Sequence, residues 1–299
     1  MSSIDSKSIS DQNNKPILVK FLALLSIARW YNIFLILVSL YFVQIFIFDT
    51  SKRFLLTLQS INIHLYVFSI LFIIMGGYLI NSFYDFEKDM INQPSKTYFG
   101  RLISKKTCLN IYVTVNIFGI SAAALINKEI LLFSLLLIFS LWIYSHKLRK
   151  KALLGEISAS LLMISFFIGL SVLNWRIDLT LFLYVTYIFS IDLTREIIKK
   201  MISLKGDLIV GEKSIPIIFG IKRSKYIIFF LMLFSLFAIL FLLPTIINKP
   251  FSYYFILAFI MILSCIYLLH NSKTSTQYKS LNNMYKSLIG LAILSIVLY

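Results

Sequence analysis

Charge is scarce in this chain. Of its 299 residues only 14% are Asp, Glu, Lys or Arg, against roughly a quarter in soluble domains. Acidic residues are the rarest part of that, 13 in all. A soluble core of this size would leave too much apolar surface uncovered, so an ordinary cytosolic globule is excluded, and so is a disordered chain. With 10 glycines and 5 prolines the sequence is neither collagen-like nor low-complexity. Its two cysteines, Cys108 and Cys265, lie far apart in apolar surroundings, with neither metal spacing nor a disulfide framework. The three histidines (His64, His146, His270) are scattered. No Ser-His-Asp or Cys-His arrangement is evident, and His146, in a basic loop, reads as a solvated bystander.

What the chain does have is apolar length, with 59% of its residues hydrophobic. A bilayer core of about 30 Å takes ~20 mostly apolar residues per helix. That ruler gives nine spans, at 21–47, 64–84, 107–126, 129–145, 153–173, 179–198, 225–246, 251–270 and 285–298. The expected fold is all-α, a polytopic membrane bundle of nine transmembrane helices. Residues 1–17 are polar and lack the order of a cleaved signal. They read as a disordered cytoplasmic tail, followed by one transmembrane domain over 18–299.

The net charge of +16 could point to a nucleic-acid partner, but its placement argues otherwise. All of the 29 Lys and Arg residues except Lys52, Arg53, Lys128, Arg176 and Lys249 fall on one side of the nine-span topology. Such asymmetry is the positive-inside signal. It puts the N-terminus and the loops after spans 2, 4, 6 and 8 in the cytoplasm of a cell (inner) membrane protein, and leaves no reason to invoke nucleic acid.

The few carboxylates on that side gather in two places. Asn81, Asp85 and Asp89 recur every four residues, so on a helix they share one face. Carboxylates at this spacing repel, and at the mouth of a bundle they call for a cation. Oxygen-only ligands favour a hard one, most simply Mg²⁺. A solvated helix end, its acids paired with nearby lysines, is the plainer alternative. The second cluster, Arg195, Lys199, Ser203 and Asp207, repeats every four residues after span 6. Two cations, a hydroxyl and a carboxylate on one stripe suit an anion held partly through a metal. Simple anchoring of the helix end would explain the cations, but neither the phasing nor Asp207. The clusters lie four spans apart, which suggests two pseudo-related four-helix halves around a central cavity.

At these residues the sequence resembles the UbiA family of intramembrane prenyltransferases. Their first signature, Asn-x-x-x-Asp-x-x-x-Asp, is met by Asn81, Asp85 and Asp89, and their second by Arg195, Lys199 and Asp207. Gly77-Tyr78, Asn92-x-Pro94-x-Lys96, Tyr144-Ser145 with its basic run, and Gly211-x-Lys213-Ser214-x-Pro216 also fit, while Arg29 and Asn32 resemble the family's polar pair in the first helix. The wording is most like the bacterial branch grouped with geranylgeranylglycerol-phosphate geranylgeranyltransferases. Four positions depart from the pattern: Ser82 stands where the first motif commonly has a further Asp, Ser203 where the second motif usually has its first Asp, Lys200 where many members carry a further Asp, and Glu156 follows Gly155 where Asn is frequent.

The resemblance implies Mg²⁺-dependent transfer of a prenyl group from a prenyl diphosphate to a lipophilic acceptor among membrane lipids, either a phosphoglycerol lipid or an aromatic quinone precursor. Asp85, Asp89, Asp207, Lys199 and Arg195 are then the expected catalytic residues. Asn81, Asp85, Asp89 and Asp207 are the expected metal ligands. Asn81, Arg29, Asn32, Lys96, Lys147, Arg149 and Ser203 are the expected substrate contacts. Two other readings compete. Ser203 and Lys200 suit a degenerate member that binds prenyl lipid without efficient catalysis, and paired halves also suit a transporter. Against a transporter, the polar residues crowd one membrane face, and only Asp192 is a midplane candidate.

Overall fold

The computed structural model describes residues 17–49, 54–92, 104–209 and 211–299. Among these, the side chains of Ile17, Lys20, Phe21, Phe54 and residues 87–92 are not described. The tail expected over 1–17 falls almost entirely outside this range, and Lys96 lies outside it too.

The described chain is helical throughout, without strands. In order the helices are α1 (Ile17–Ile27), α2 (Trp30–Phe42), α3 (Phe54–Leu58), α4 (Ile61–Asn92), α5 (Lys105–Ala124) and α6 (Lys128–His146), then α7 (Leu154–Leu173), α8 (Leu179–Ile202), α9 (Leu204–Ile209), α10 (Ile215–Ile246), α11 (Phe251–Asn271) and α12 (Ser275–Ser295). Every expected span is a helix. Eight helices, α2, α4, α5, α6, α7, α10, α11 and α12 with their short extensions, are long and apolar enough to cross a membrane. The other expected span, α8, is as long as these but carries Asp192, Arg195, Glu196, Lys199 and Lys200 in its second half. Its burial between α7, α10 and α12 makes that polarity tolerable.

Three boundaries differ from the hydropathy reading, each for a local reason. The first expected span breaks at Arg29, whose backbone is left-handed (φ 52°), separating α1 from α2. The seventh begins ten residues early, at Ile215, and kinks at Gly220 (φ 77°), a conformation glycine takes without a Cβ penalty. The ninth starts at Ser275, where Thr274 and Gln277 form a reciprocal capping box. Hydropathy alone does not register a polar first turn stabilised in this way.

Helix contacts close into a ring: α2 on α4, α4 on α6, α6 on α7, α7 on α8, α8 on α12 and α12 back on α2. Helix α5 packs behind α4 and α6, and α10 and α11 behind α8 and α12. In each half, then, the helix bearing a polar cluster (α4 or α8) is an inner one. Leu and Phe side chains such as Phe118, Leu136, Phe237 and Leu240 cover the outer surface, an apolar coat that suits lipid. Inside the ring is a small apolar cavity of about 20 Å³, bounded by Ile36, Met163, Phe167, Tyr184, Ile188 and Ile293 among others.

At the end of the ring where α2 finishes and α4 begins lies a polar pocket of about 140 Å³. Here α2 runs into a π-helical stretch, Val43–Phe48. Gln44 exchanges hydrogen bonds with Asn174 (3.0 and 2.7 Å) and donates to Asp49 (2.9 Å). Thr57 donates to the same carboxylate at 3.0 Å.

Candidate functional site

The opposite end of the ring holds the two sequence clusters. Asn81 and Asp85 sit one turn apart near the end of α4, and the Asn81 amide donates to Asp85 at 2.9 Å. The backbone of α4 continues to Asn92, so Asp89 lies on the next turn of the same helix; its side chain is outside the described set.

Arg149 joins the first cluster to the second. It lies in a 3-10 turn, Leu148–Lys150, just before α7. Its guanidinium pairs with Asp85, donates to the Asn81 carbonyl oxygen at 3.3 Å and donates to Glu212 at 3.0 Å. The chain there is tightly placed. A Cβ on Gly155 would fall 2.7 Å from the Arg149 carbonyl oxygen, so only glycine lets α7 start this close beneath the turn. The loops are also stitched by backbone, because the Lys213 N–H donates to the Lys150 carbonyl at 3.2 Å.

Glu212 carries the network onward. Its other carboxylate oxygen accepts from Lys200 at 3.0 Å, and Lys200 lies 3.7 Å from Asp207. Asp207 has no exposed surface, and the Arg149 and Lys200 side chains are 9% and 13% exposed. Asn81, Asp85, Arg149, Glu212, Lys200 and Asp207 therefore form one buried chain of polar contacts between α4 and α8–α9.

Lys199, beside Lys200 in sequence, and Arg195, one turn deeper in α8, form a second network. Arg195 pairs with Asp192 at 3.1 Å and approaches Glu196 at 3.8 Å, while Lys199 holds Glu196 at 2.7 Å. Ser160 on α7 donates to Asp192 at 3.0 Å. The buried Nε of Arg195 has no hydrogen-bond partner among the described residues.

Other expected site residues are placed less centrally. Ser203 ends α8, its N–H donating to Lys199 and its carbonyl accepting from Asp207. Arg29 lies 5.6 Å from the Tyr78 ring centre, and Asn32 donates to the Tyr78 hydroxyl at 3.4 Å. This places the α2 pair beside the α4 cluster. Lys147 is exposed at the C-terminal end of α6, apart from the network. Glu212, Lys200 and Glu196, absent from the expected site, are the residues that join its members. The signal was present in the sequence as acids on the cation-rich side, but which cation each acid meets depends on how the loops fold back.

The donor set decides what the site can hold. Among the described residues no three His, Cys, Asp or Glu side chains converge to hold a metal. The α4 cluster presents oxygens alone, from Asn81 and Asp85 with Asp89 a turn on, and such a set suits a hard cation that completes its shell with water and phosphate oxygens. At Asp207 an ammonium already stands beside the carboxylate. The carboxylate of the second cluster is thus met by a cation of the chain itself.

Residues 56–289 match the UbiA prenyltransferase family. A digeranylgeranylglyceryl phosphate synthase from Methanothrix thermoacetophila is 33% identical over 188 residues, 62% of this chain and 70% of that protein. Its counterpart from Sulfurisphaera tokodaii is 29% identical over 154 residues, 51% of this chain but only 55% of the relative. The chain thus spans little more than half the length of that curated relative. A solved structure of digeranylgeranylglyceryl phosphate synthase shares the fold with a TM-score of 0.71 at 21% identity, covering 93% of this chain and 97% of its own. A UbiA homologue from Archaeoglobus fulgidus bound to GPP and Mg²⁺ does so with a TM-score of 0.65 at 15% identity, covering 92% and 99%.

Proposed function

The chain belongs to the UbiA prenyltransferase family, and from that premise we propose that this multi-pass membrane protein transfers a prenyl group from a prenyl diphosphate to the hydroxyl of a glycerophosphate lipid. The observation that carries this reading is the continuous buried network from Asn81 and Asp85 through Arg149 and Glu212 to Lys200 and Asp207. It brings both motifs of the family pattern to one end of the ring. The relatives named digeranylgeranylglyceryl phosphate synthase favour a phosphoglycerol acceptor over an aromatic one. The distribution of Lys and Arg favours a cytoplasmic N-terminus with the site on that side.

In this reading the prenyl chain lies among the apolar side chains of the ring, and the diphosphate sits at its polar end. A Mg²⁺ ion held by Asn81, Asp85 and Asp89 would supply positive charge to the leaving diphosphate. Arg195, Lys199 and Arg149 bind its oxygens; Arg195, with its unengaged Nε, has a donor to give. Arg29 and Asn32, set against Tyr78, border the same opening. The allylic C–O bond breaks with its electron pair leaving on the diphosphate. The acceptor oxygen then forms the new C–O bond, and its proton passes to the departed diphosphate. The packed ring keeps water from capturing the allylic cation first.

The test is mass spectrometry of products formed by purified protein with Mg²⁺, prenyl diphosphates of several lengths, and either phosphoglycerol or aromatic acceptors. A prenylated phosphoglycerol product is expected. Transfer to the aromatic acceptor alone would overturn the acceptor assignment, and no product with any pair would overturn prenyl transfer itself.

A further inference from the structure

We propose that Lys200 stands in for a second metal ion, so that the site works with a single divalent cation held at the α4 cluster. This rests on the prenyl-transfer reading and deepens it. The second motif that this chain resembles usually has Asp at position 203, and many members carry a further Asp at 200; this chain has a hydroxyl and an ammonium there.

The geometry shows what the exchange does. The Lys200 Nζ lies 3.0 Å from Glu212 and 3.7 Å from Asp207, and the three side chains are 13%, 3% and 0% exposed. An ammonium so enclosed occupies the direction from which a cation would approach Asp207. Lysine offers three donors and no acceptor, so it fills a cation's place without being able to coordinate one.

Glu212 is the second carboxylate on Lys200, and its other oxygen meets Arg149 at 3.0 Å. The substituted cation is thereby tied to the residue that pairs with Asp85. The α4 cluster differs in kind. It keeps its full Asn81, Asp85, Asp89 pattern, and Asp85 faces an arginine at the edge of the diphosphate position, which an arriving anion can draw away.

The experiment counts metals instead of turnover. Mn²⁺ bound per protein is measured by electron paramagnetic resonance on purified protein holding an unreactive prenyl thiodiphosphate. The wild type is expected to bind one Mn²⁺, Lys200→Arg one, Asp85→Asn none, and the double variant Lys200→Asp with Ser203→Asp two. Thermal melting in the same detergent establishes that each variant is folded. Two Mn²⁺ in the wild type, or a count of one in the folded double variant, overturns the proposal while leaving prenyl transfer intact. A wild type that binds no thiodiphosphate overturns the prenyl-transfer reading and this inference with it.

Discussion

Two buried polar regions lie at opposite ends of the same helices, separated along α4 by about 35 Å at 1.5 Å per residue, and they are built on different principles. At the α2–α7 end, Gln44 and Asn174 satisfy each other with a reciprocal amide pair, and Asp49 accepts from Gln44 and Thr57. At the α4–α8 end nearly every contact joins opposite charges, with Arg149, Lys200, Lys199 and Arg195 facing Asp85, Glu212, Asp207, Glu196 and Asp192. Amide pairs hold helix ends together, and no ligand of opposite charge improves on them. Charge pairs are exchangeable, because a diphosphate competes for the cations and a metal for the carboxylates. The first region is suited to stability and the second to chemistry.

Substitutions can break this division. The largest effect is expected from Asp85→Ala, with prenyl transfer per folded molecule falling at least about a hundredfold, as followed by product mass spectrometry; near-normal turnover would remove the charged end from the chemistry. Arg149→Ala should affect both properties. It strands Asp85 and Glu212 without their shared partner, at a cost of about 3–5 kcal/mol for a broken buried pair, visible as a lower melting temperature in detergent together with lost activity. Gln44→Ala sharpens the contrast: it should cost about 1–3 kcal/mol through the lost amide pair with Asn174 and leave turnover per folded molecule unchanged. A selective loss of turnover there would mean that the amide end also serves the reaction. The smallest effect is expected from Arg29→Ala, which removes a cation–π contact of about 0.5–1 kcal/mol and should raise KM for the prenyl diphosphate more than it lowers kcat.

Much of this was legible in the sequence. Apolar runs of membrane length located every spanning helix, because in lipid the backbone must satisfy itself and a helix is the local solution. Four-residue spacing placed Asn81 beside Asp85, and the order of the spans placed both motifs at one end of the bundle. Three features were not legible. The break at Arg29 is a single left-handed residue inside an apolar run, which hydropathy averages away. Gln44, in the π-helical turn, finds its partner in Asn174, 130 residues away. The pairing of Lys200 with Asp207 and Glu212 joins α8 to the loop that follows α9, a tertiary outcome. Sequence showed that an acid had been replaced at 200, and the structure showed what the replacement touches.

The polarity of α8 also bears on how the protein is made. A helix handed to the bilayer on its own is sorted by its own composition, and Asp192, near its middle, carries a penalty of about 2.5–3.5 kcal/mol in that setting. The remedies are Ser160 on α7 and Arg195 on α8 itself, with α10 and α12 covering the flanks. Two of these neighbours, α10 and α12, are synthesised only after α8 has emerged. The sixth span therefore completes its burial only with its successors, and chains halted at Ile202 are expected to expose α8 to added protease more than chains completed through α12 do. The helix that carries half of the reactive groups thus gains its full set of neighbours only when α12 has been made.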